Sequence, residues 1–451
     1  MSNENNNQTY DLIVLGSGGA ANQVAFRAKK EGWSVAVINK GSFGGTCSVR
    51  GCIPKKVLAG SGEVADLNRR LKDLGVISSV AEMSWEGTIA FKKTFTDSIP
   101  DATEKSLKKA GIDVYVGNPK FVGDLEIEVA GKTLKAKKVH IGVGAEPLSL
   151  SFPGAEHLIT SDDFLELDAL PESIIFVGGG YVSFELAHVA ARYGAKVRIL
   201  EGGDRPLKMF DPDIIDQVIK ATTEIGINIE YGFRANSIEK VGDSYEVRDG
   251  NNSYSAKLVV NGAGRPPAIK DLNLKAANID YDPRRGITVD EYLVSTSNKN
   301  VYAAGDAADA GPPLSPVAGR QGAIVAQNLF GGNVKQPSYN STASVLFTTP
   351  TASMVGMSEA EANEVSDKYE VIKSDTSTWF DALRVGQKHS MSKVIIEKST
   401  KQIAGAHIVG NHAEDLINIF SLAIELGLTT DQLKQPIFAF PTGSDDIRSM
   451  F

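Results

Sequence analysis

Cys47 and Cys52 are the only cysteines of the 451-residue chain, and they stand five positions apart. In a straight α-helix, residues i and i+5 have Cα atoms about 8 to 9 Å apart. A disulfide tolerates less than about 7 Å, so a helix through this segment must distort before the two sulfurs can join. The segment Gly44-Gly45-Thr46-Cys47-Ser48-Val49-Arg50-Gly51-Cys52-Ile53-Pro54-Lys55-Lys56 contains the means to do so. Gly51 supplies backbone freedom. Pro54 removes the N–H that would bond the carbonyl of Arg50. In a reducing compartment such a bond is more often catalytic than structural. The plainer alternative is a pair of ordinary buried thiols; the adjacent glycines and basic residues favour an accessible thiolate instead.

Two glycine turns are the next residues with chemistry in them. Gly16, Gly18 and Ala21 follow the apolar run Tyr10 to Leu15, and Gly178, Gly180 and Ser183 follow Ile174 to Val177. In G-x-G-x-x-[GA] the first glycine allows the tight turn, the second admits a pyrophosphate, and the small third residue lets helix and strand pack. The helix that follows presents free N–H groups and positive dipole to phosphate. A single glycine turn after a strand is common, but two of them, each followed by a helical stretch, point to two bound dinucleotides. The helices are expected to run to about Glu31 and over Tyr181 to Arg192, and the next strands over Ser34 to Ile38 and Val197 to Leu200. The acidic residue that ends such a second strand binds ribose hydroxyls. In the second unit it is Glu201, which would repel a 2′-phosphate and favour NADH, with NADPH possible because Arg205 and Lys208 lie nearby. In the first unit the position is held by Asn39, a neutral hydrogen-bonding group.

The remaining elements form the scaffold. Val114 to Gly144 alternates short strands and turns, Leu258 to Gly264 is a strand ending in glycines, and Val301 to Asp306 is a strand followed by a helix from about Gly319 to Leu329. From Pro337 the texture changes to strands at Val345–Phe347, Tyr369–Ile372, Val394–Glu397 and Ile403–Val409, with helices near Ala360 and over Leu416–Leu426, as in a separate α+β domain. Hydrophobic residues at 42% allow a large buried core and exclude global disorder. A net charge of −8 leaves no basic footprint for nucleic acid. No apolar run reaches the roughly 18 residues of a membrane span. The start MSNENNNQTY is polar and unlike a signal peptide, so residues 1–8 are expected to be a disordered tail and the location cytoplasmic.

The segment GGTCSVRGCIPKK closely resembles the GGTC-x4-C-x-P-x-K signature of the class I pyridine nucleotide-disulfide oxidoreductases, the flavoprotein family of glutathione reductase, dihydrolipoamide dehydrogenase and mercuric reductase. The resemblance extends over the chain from Tyr10. It implies an α/β fold with two Rossmann-like dinucleotide-binding domains and a C-terminal α+β dimerisation domain. FAD would occupy residues 9–147 with 268–336, NAD(P)H residues 148–267, and the homodimer interface residues 337–451. It further implies that Cys47 is the interchange thiol and Cys52 the charge-transfer thiol. Lys56 would sit near the flavin with Glu185 as its ion-pair partner, Tyr181 would gate the nicotinamide pocket, and Asp306 would hold the ribityl chain. Gly45 and Thr46 belong to the signature. Gly144 ends a motif whose threonine is Val143 here, and Gly264 ends the matching strand of the second unit.

One part of the family pattern is absent. Members that reduce disulfides close with a segment like H-x-H-P-T-x-x-E, whose second histidine, from the partner subunit, serves as acid-base to the interchange thiol. This chain reads Phe438-Ala439-Phe440-Pro441-Thr442-Gly443-Ser444-Asp445, in a register anchored by His407, Gly410, Ala413 and Glu414. His407 and His412 lie far from it in sequence and read as structural or surface residues. General acid-base catalysis contributes typically about 10² to 10⁴-fold, and Phe440 supplies none. The expected acceptor is therefore a small oxidant whose leaving group departs unassisted. Hypothiocyanous acid, the substrate of certain family members, qualifies: Cys47 attacks its sulfur and Cys52 displaces thiocyanate, a very weak base. Phe438 and Phe440 would make the substrate mouth apolar. A small disulfide, a dihydrolipoamide dehydrogenase-like reaction and a metal or quinone reductase are the alternatives. The terminus DDIRSMF lacks the cysteine pair typical of mercuric reductase. A non-catalytic, redox-responsive protein that binds FAD and NADH is the reading from another class.

Overall fold

The computed structural model describes residues 9–451; the expected tail, residues 1–8, lies outside the described residues. Its contacts divide the chain into two units, one of residues up to Pro54 with Lys92–Leu148 and Arg265–Tyr339, the other of Lys55–Phe91, Ser149–Gly264 and Asn340–Phe451.

The first unit is built on a seven-stranded sheet. Thr9–Leu15 is central, flanked in parallel by Val35–Asn39 and Lys132–Ile141. Asp113–Val116 extends one side in parallel, and Val301–Ala303 pairs in parallel with Lys132–Ile141. Two antiparallel strands, Glu126–Val129 and Lys120–Gly123, complete it. Leu12 to Leu15 are wholly buried. A strand covered on both faces needs this unbroken apolar run. The last helix of the unit spans Ser315–Gly331, four residues earlier than the glycines suggest, because Pro316 falls in its first turn. There the missing N–H has no intrahelical partner to lose.

The second unit has three sheets. Leu258–Asn261, Ser173–Val177, Lys196–Glu201 and Asn228–Tyr231 form a parallel sheet in that order. Ser237–Val241, Ser244–Arg248 and Ser253–Ala256 form an antiparallel meander. The C-terminal region is a five-stranded antiparallel sheet ordered Ser344–Leu346, Thr351–Gly356, Ile403–Gly410, Met391–Glu397, Tyr369–Asp375. The helix Ala413–Leu426 covers this sheet through Leu416, Ile417, Phe420 and Ala423. The two parallel sheets with their glycine turns and the C-terminal α+β sheet give the mixed architecture that the pattern implies.

Candidate active site

The thiol pair lies where one helix stops and another starts. Gly45–Arg50 is a short helix, Gly51 breaks it with φ −138° and ψ −114°, and Cys52 opens the 22-residue helix Cys52–Asp73. A Cβ on Gly51 would stand 2.9 Å from the carbonyl oxygen of Thr46 and 3.3 Å from Cα of Cys47. The chain folds back on its own first turn only because that atom is absent. The break thus replaces the 8 to 9 Å of a straight helix with sulfurs near disulfide distance and hydrogen-bonded to each other, both as thiols. The hydrogen bond with Cys52, and then burial, push the Cys47 thiol up. The hydrogen bond from Ser315 opposes this without reversing it. Cys52 stands at a helix N-terminus, where the dipole favours a thiolate. Ser315 completes the group, with its Oγ 3.2 Å from Sγ of Cys52 and a hydrogen bond to Cys47.

The lysines require a correction. Lys56 is not the partner of Glu185. Lys55 is: its Nζ lies 2.9 Å from Oε1 of Glu185, and both side chains are largely buried. The backbone N–H of Phe347 donates to the same oxygen at 2.8 Å, and Nζ of Lys55 sits 4.0 Å from the centre of the Phe347 ring. Lys56 points elsewhere, 2.8 Å from Glu63 and 3.7 Å from Glu414. Consecutive helical residues are about 100° apart, whereas Lys56 and Glu63, seven apart, share a face.

The two glycine turns match in backbone. Gly16 has φ +103° and Gly178 φ +104°. A Cβ on either would lie 2.8 Å from a carbonyl carbon, that of Gly142 or of Gly262. Gly18 and Gly180 are the N-caps of the helices Gly19–Lys30 and Tyr181–Arg192, with no side-chain cap and no acidic residue in the first turn. Gly45 packs on the first turn, and a Cβ there would be 2.5 Å from Cα of Gly18. Ala21 and Ser183, at the third motif position, are buried. Gly144 and Gly264 each lie three residues past a strand end with positive φ, and a Cβ on either would meet nothing within 4 Å among the described residues. Uncapped N–H groups, missing Cβ atoms and open space beside them fit the pyrophosphate of a dinucleotide in each unit.

The strand ends differ. Nδ2 of Asn39 donates to the carbonyls of Gly41 at 2.7 Å and Ser42 at 3.0 Å. The carboxylate of Glu201 accepts from the N–H groups of Gly179 at 2.9 Å and Gly203 at 2.6 Å. Arg205 and Lys208 are engaged locally, with Asp216 and Asp204. Asp306 lies in the turn Gly305–Ala307; burial pushes its carboxyl up and the nearby Arg265 opposes that. Thr46 is half-buried, and Tyr181 is exposed.

At the C-terminal end Phe440 is 83% exposed, Phe438 is half-buried, and Asp445 pairs with Arg448. His407 is buried with its Nε2 3.0 Å from the carbonyl of Met357, and His412 is the exposed N-cap of Ala413–Leu426. Of the six histidines only His140 falls in the unit that holds the thiols, and it is wholly buried in the sheet. Reading the sequence missed Lys55, Ser315 and Arg265. Ser315 carried a signal, since Ser-Pro before an apolar stretch marks a helix start, but its partner is 263 positions away.

This fold and these motifs define a class, and comparison with known proteins agrees. Residues 10–322 match the pyridine nucleotide-disulphide oxidoreductase family and residues 342–451 its dimerisation domain, so the chain belongs to that family. Its members bind FAD and NAD(P)H. Among individual proteins, the chain is 31% identical to a mercuric reductase of Lysinibacillus sphaericus, over 98% of the chain and 82% of the relative. It is 29% identical to a glutathione reductase of Nostoc, over 98% and 99%. A solved structure of the HOCl-induced flavoprotein disulfide reductase RclA from Escherichia coli superposes with a TM-score of 0.87 at 25% identity, covering 98% of this chain and 99% of that one. Among the described residues no helix is long and apolar enough to cross a membrane.

Proposed function

We propose that the chain is a homodimeric NADH-dependent flavoprotein that reduces hypothiocyanous acid at Cys47–Cys52. The observation that carries this reading is a complete redox dithiol in a chain with Phe440 at the acid-base histidine position. Bound NADH and FAD supply the two electrons that reduce the Cys47–Cys52 disulfide. The rest falls to the chain's own residues. Cys47 attacks the sulfur of the oxidant, and Cys52 then attacks Cys47 and releases thiocyanate. Gly16, Gly18, Ala21, Asn39, Gly45, Thr46, Gly144 and Asp306 would hold FAD; Gly178, Gly180, Tyr181, Glu201 and Gly264 would hold NADH. The fixed negative charge of Glu201 disfavours a 2′-phosphate. Lys55, held by Glu185, takes the role expected of Lys56. Phe438 and Phe440 give an apolar mouth that suits a small neutral oxidant. The related E. coli protein is named for induction by HOCl, an oxidant of kindred chemistry.

The test is anaerobic stopped-flow reoxidation of the NADH-reduced protein by hypothiocyanous acid, glutathione disulfide and lipoamide. Rapid reoxidation by hypothiocyanous acid alone is expected. Rapid reoxidation by either disulfide would show that the missing histidine does not restrict the acceptor and would overturn the reading.

A further inference from the structure

Thiocyanate needs no proton to leave, but it is the second group to depart. When Cys47 attacks the sulfur of hypothiocyanous acid, the first leaving group is the oxygen, and hydroxide is a strong base. That step needs a proton donor, and Phe440 is not one. The thiol pair's own unit contains one histidine, His140, wholly buried. A hydroxyl does stand at the sulfurs. Oγ of Ser315 is 3.2 Å from Sγ of Cys52, bonds Cys47 as well, and is on an exposed residue. It is the first residue of the 17-residue helix Ser315–Gly331, whose N-cap Leu314 offers no side-chain cap and whose first turn has no acid. Negative charge that builds on Oγ during proton transfer is stabilised by that helix end.

We propose that Ser315 is a catalytic residue, the proton relay between Cys52 and the departing oxygen of a hydroxyl-bearing oxidant. This rests on the reading of hypothiocyanous acid as acceptor. The singly deprotonated pair shares one proton, which the Ser315 hydroxyl can pass between the sulfurs. With the proton on Cys52, the Cys47 thiolate attacks the oxidant's sulfur, the S–O bond breaks, and its electron pair leaves with oxygen. Ser315 gives its hydroxyl proton to that oxygen and takes the proton of Cys52, so water departs and Cys52 becomes a thiolate. The Cys52 thiolate attacks the Cys47 sulfur, the disulfide forms, and thiocyanate leaves. One thiolate, one thiol and hypothiocyanous acid thus give one disulfide, one water and one thiocyanate; the pair is oxidised by two electrons and the oxidant reduced by two.

The experiment uses the full-length FAD-loaded protein, reduced, freed of excess reductant and mixed with one equivalent of oxidant. Remaining thiols are trapped by alkylation and counted by mass spectrometry. Hypothiocyanous acid is compared with dithiobis(nitrobenzoate), whose aromatic thiolate leaves unprotonated. In Ser315→Ala, loss of a proton donor lowers the rate with hypothiocyanous acid about 100-fold, while the rate with the aromatic disulfide stays within about threefold of the parent's. Ser315→Thr, which keeps the hydroxyl, restores both. Equal rates for parent and Ser315→Ala with hypothiocyanous acid would overturn the relay, as would equal slowing with both oxidants or a Ser315→Thr as slow as Ser315→Ala. A parent protein that consumes the aromatic disulfide but not hypothiocyanous acid would overturn the acceptor, and the relay with it.

Discussion

At Gly16 and at Gly178 the backbone turns with φ within one degree of the same value, each against the carbonyl of a glycine on a neighbouring chain segment. What supports the two turns is different. The helix after Gly18 seats itself through Ala20, Ala21, Val24, Ala25 and Ala28, all apolar. The helix after Gly180 buries Glu185 and His188, and Arg192 is 5% exposed at its side chain. All three bind the segment Phe347–Thr349: Glu185 accepts from N–H of Phe347, His188 from N–H of Thr349, and Arg192 donates to the carbonyl of Thr349. The first turn is held by shape, the second by charge and hydrogen bonds as well. Shape fails when an atom is added; a buried polar line fails when a partner is removed. The same contrast holds at the strand ends, where Asn39 is used to set the loop that leads to the thiols and Glu201 keeps a charge on its turn.

The largest expected effect is on the turn held by shape. Gly16→Ala combines a left-handed backbone, about 1–2 kcal/mol, with an overlap in a packed interior, about 1–3 kcal/mol. The variant is expected to purify without FAD or to fail to fold. Gly178→Ala carries the same strain but leaves the first turn alone, so it keeps FAD and loses NADH affinity by about 100-fold or more. Flavin absorbance and NADH titration check both, and an FAD-loaded Gly16→Ala protein would break the comparison.

Next come the lysines. Lys55→Ala leaves the carboxylate of Glu185, 4% exposed, without its cation. Removing one partner of a buried pair costs about 3–5 kcal/mol. Lys56 is 40% exposed, and its pairs with Glu63 and Glu414 are of the solvent-screened kind, so Lys56→Ala costs about 1 kcal/mol or less. Thermal melts of the two variants decide between them. Equal losses would show that Glu185 does not depend on Lys55.

These lysines also mark how far the sequence alone reaches. The turns at Gly16 and Gly178 and the thiol segment were legible because their chemistry is local: a few consecutive residues set the backbone. The choice between two adjacent lysines is not local. It depends on which face of the Cys52–Asp73 helix meets Glu185, 130 positions away from Lys55. The i,i+7 spacing of Lys56 and Glu63 was a usable sign that this lysine was already engaged. Ser315 and Arg265 were out of reach for the same reason, since each meets its partner only through the topology of the first unit's sheet. The break at Gly51, by contrast, followed from the Cα separation of two cysteines five apart in a helix, which is too long for a disulfide.

A pH experiment separates the units again. His140 is wholly buried in the first unit, and both its ring nitrogens lack a partner among the described residues. Burial pulls its pKa down to about 3 from 6.5. The folded state therefore binds fewer protons than the unfolded chain between these values. Stability is full above pH 6.5 and is lost as pH falls toward 3. At pH 5 the loss from this one group is about 2 kcal/mol relative to pH 7. His140→Val should remove that part of the acid sensitivity in urea melts at the two pH values, while His188, bonded to Thr222 at 2.8 Å, is unchanged in both proteins. An equal pH dependence for parent and variant would mean that His140 finds a partner in the folded protein.

The strand ends give the smaller effects. Asn39→Ala removes two hydrogen bonds to the loop at Gly41 and Ser42. At about 1 kcal/mol net for such a bond, FAD should dissociate roughly 5- to 30-fold more readily, with NADH affinity unchanged. Equilibrium dialysis of flavin measures this.

At the other strand end the change is in charge rather than in shape. Glu201→Gln keeps one amide oxygen able to accept from N–H of Gly179 or Gly203, and removes the negative charge beside the expected adenosine ribose. Glu201 is itself half-buried, so water screens part of the charge, and its effect on a 2′-phosphate should be about 1–1.5 kcal/mol. That is roughly a tenfold shift in the ratio of kcat/KM for NADH to that for NADPH, mostly through gain with NADPH. If the ratio does not move, Glu201 acts only as a brace for the turn, and the two strand ends, Asn39 and Glu201, would then do the same work with different groups.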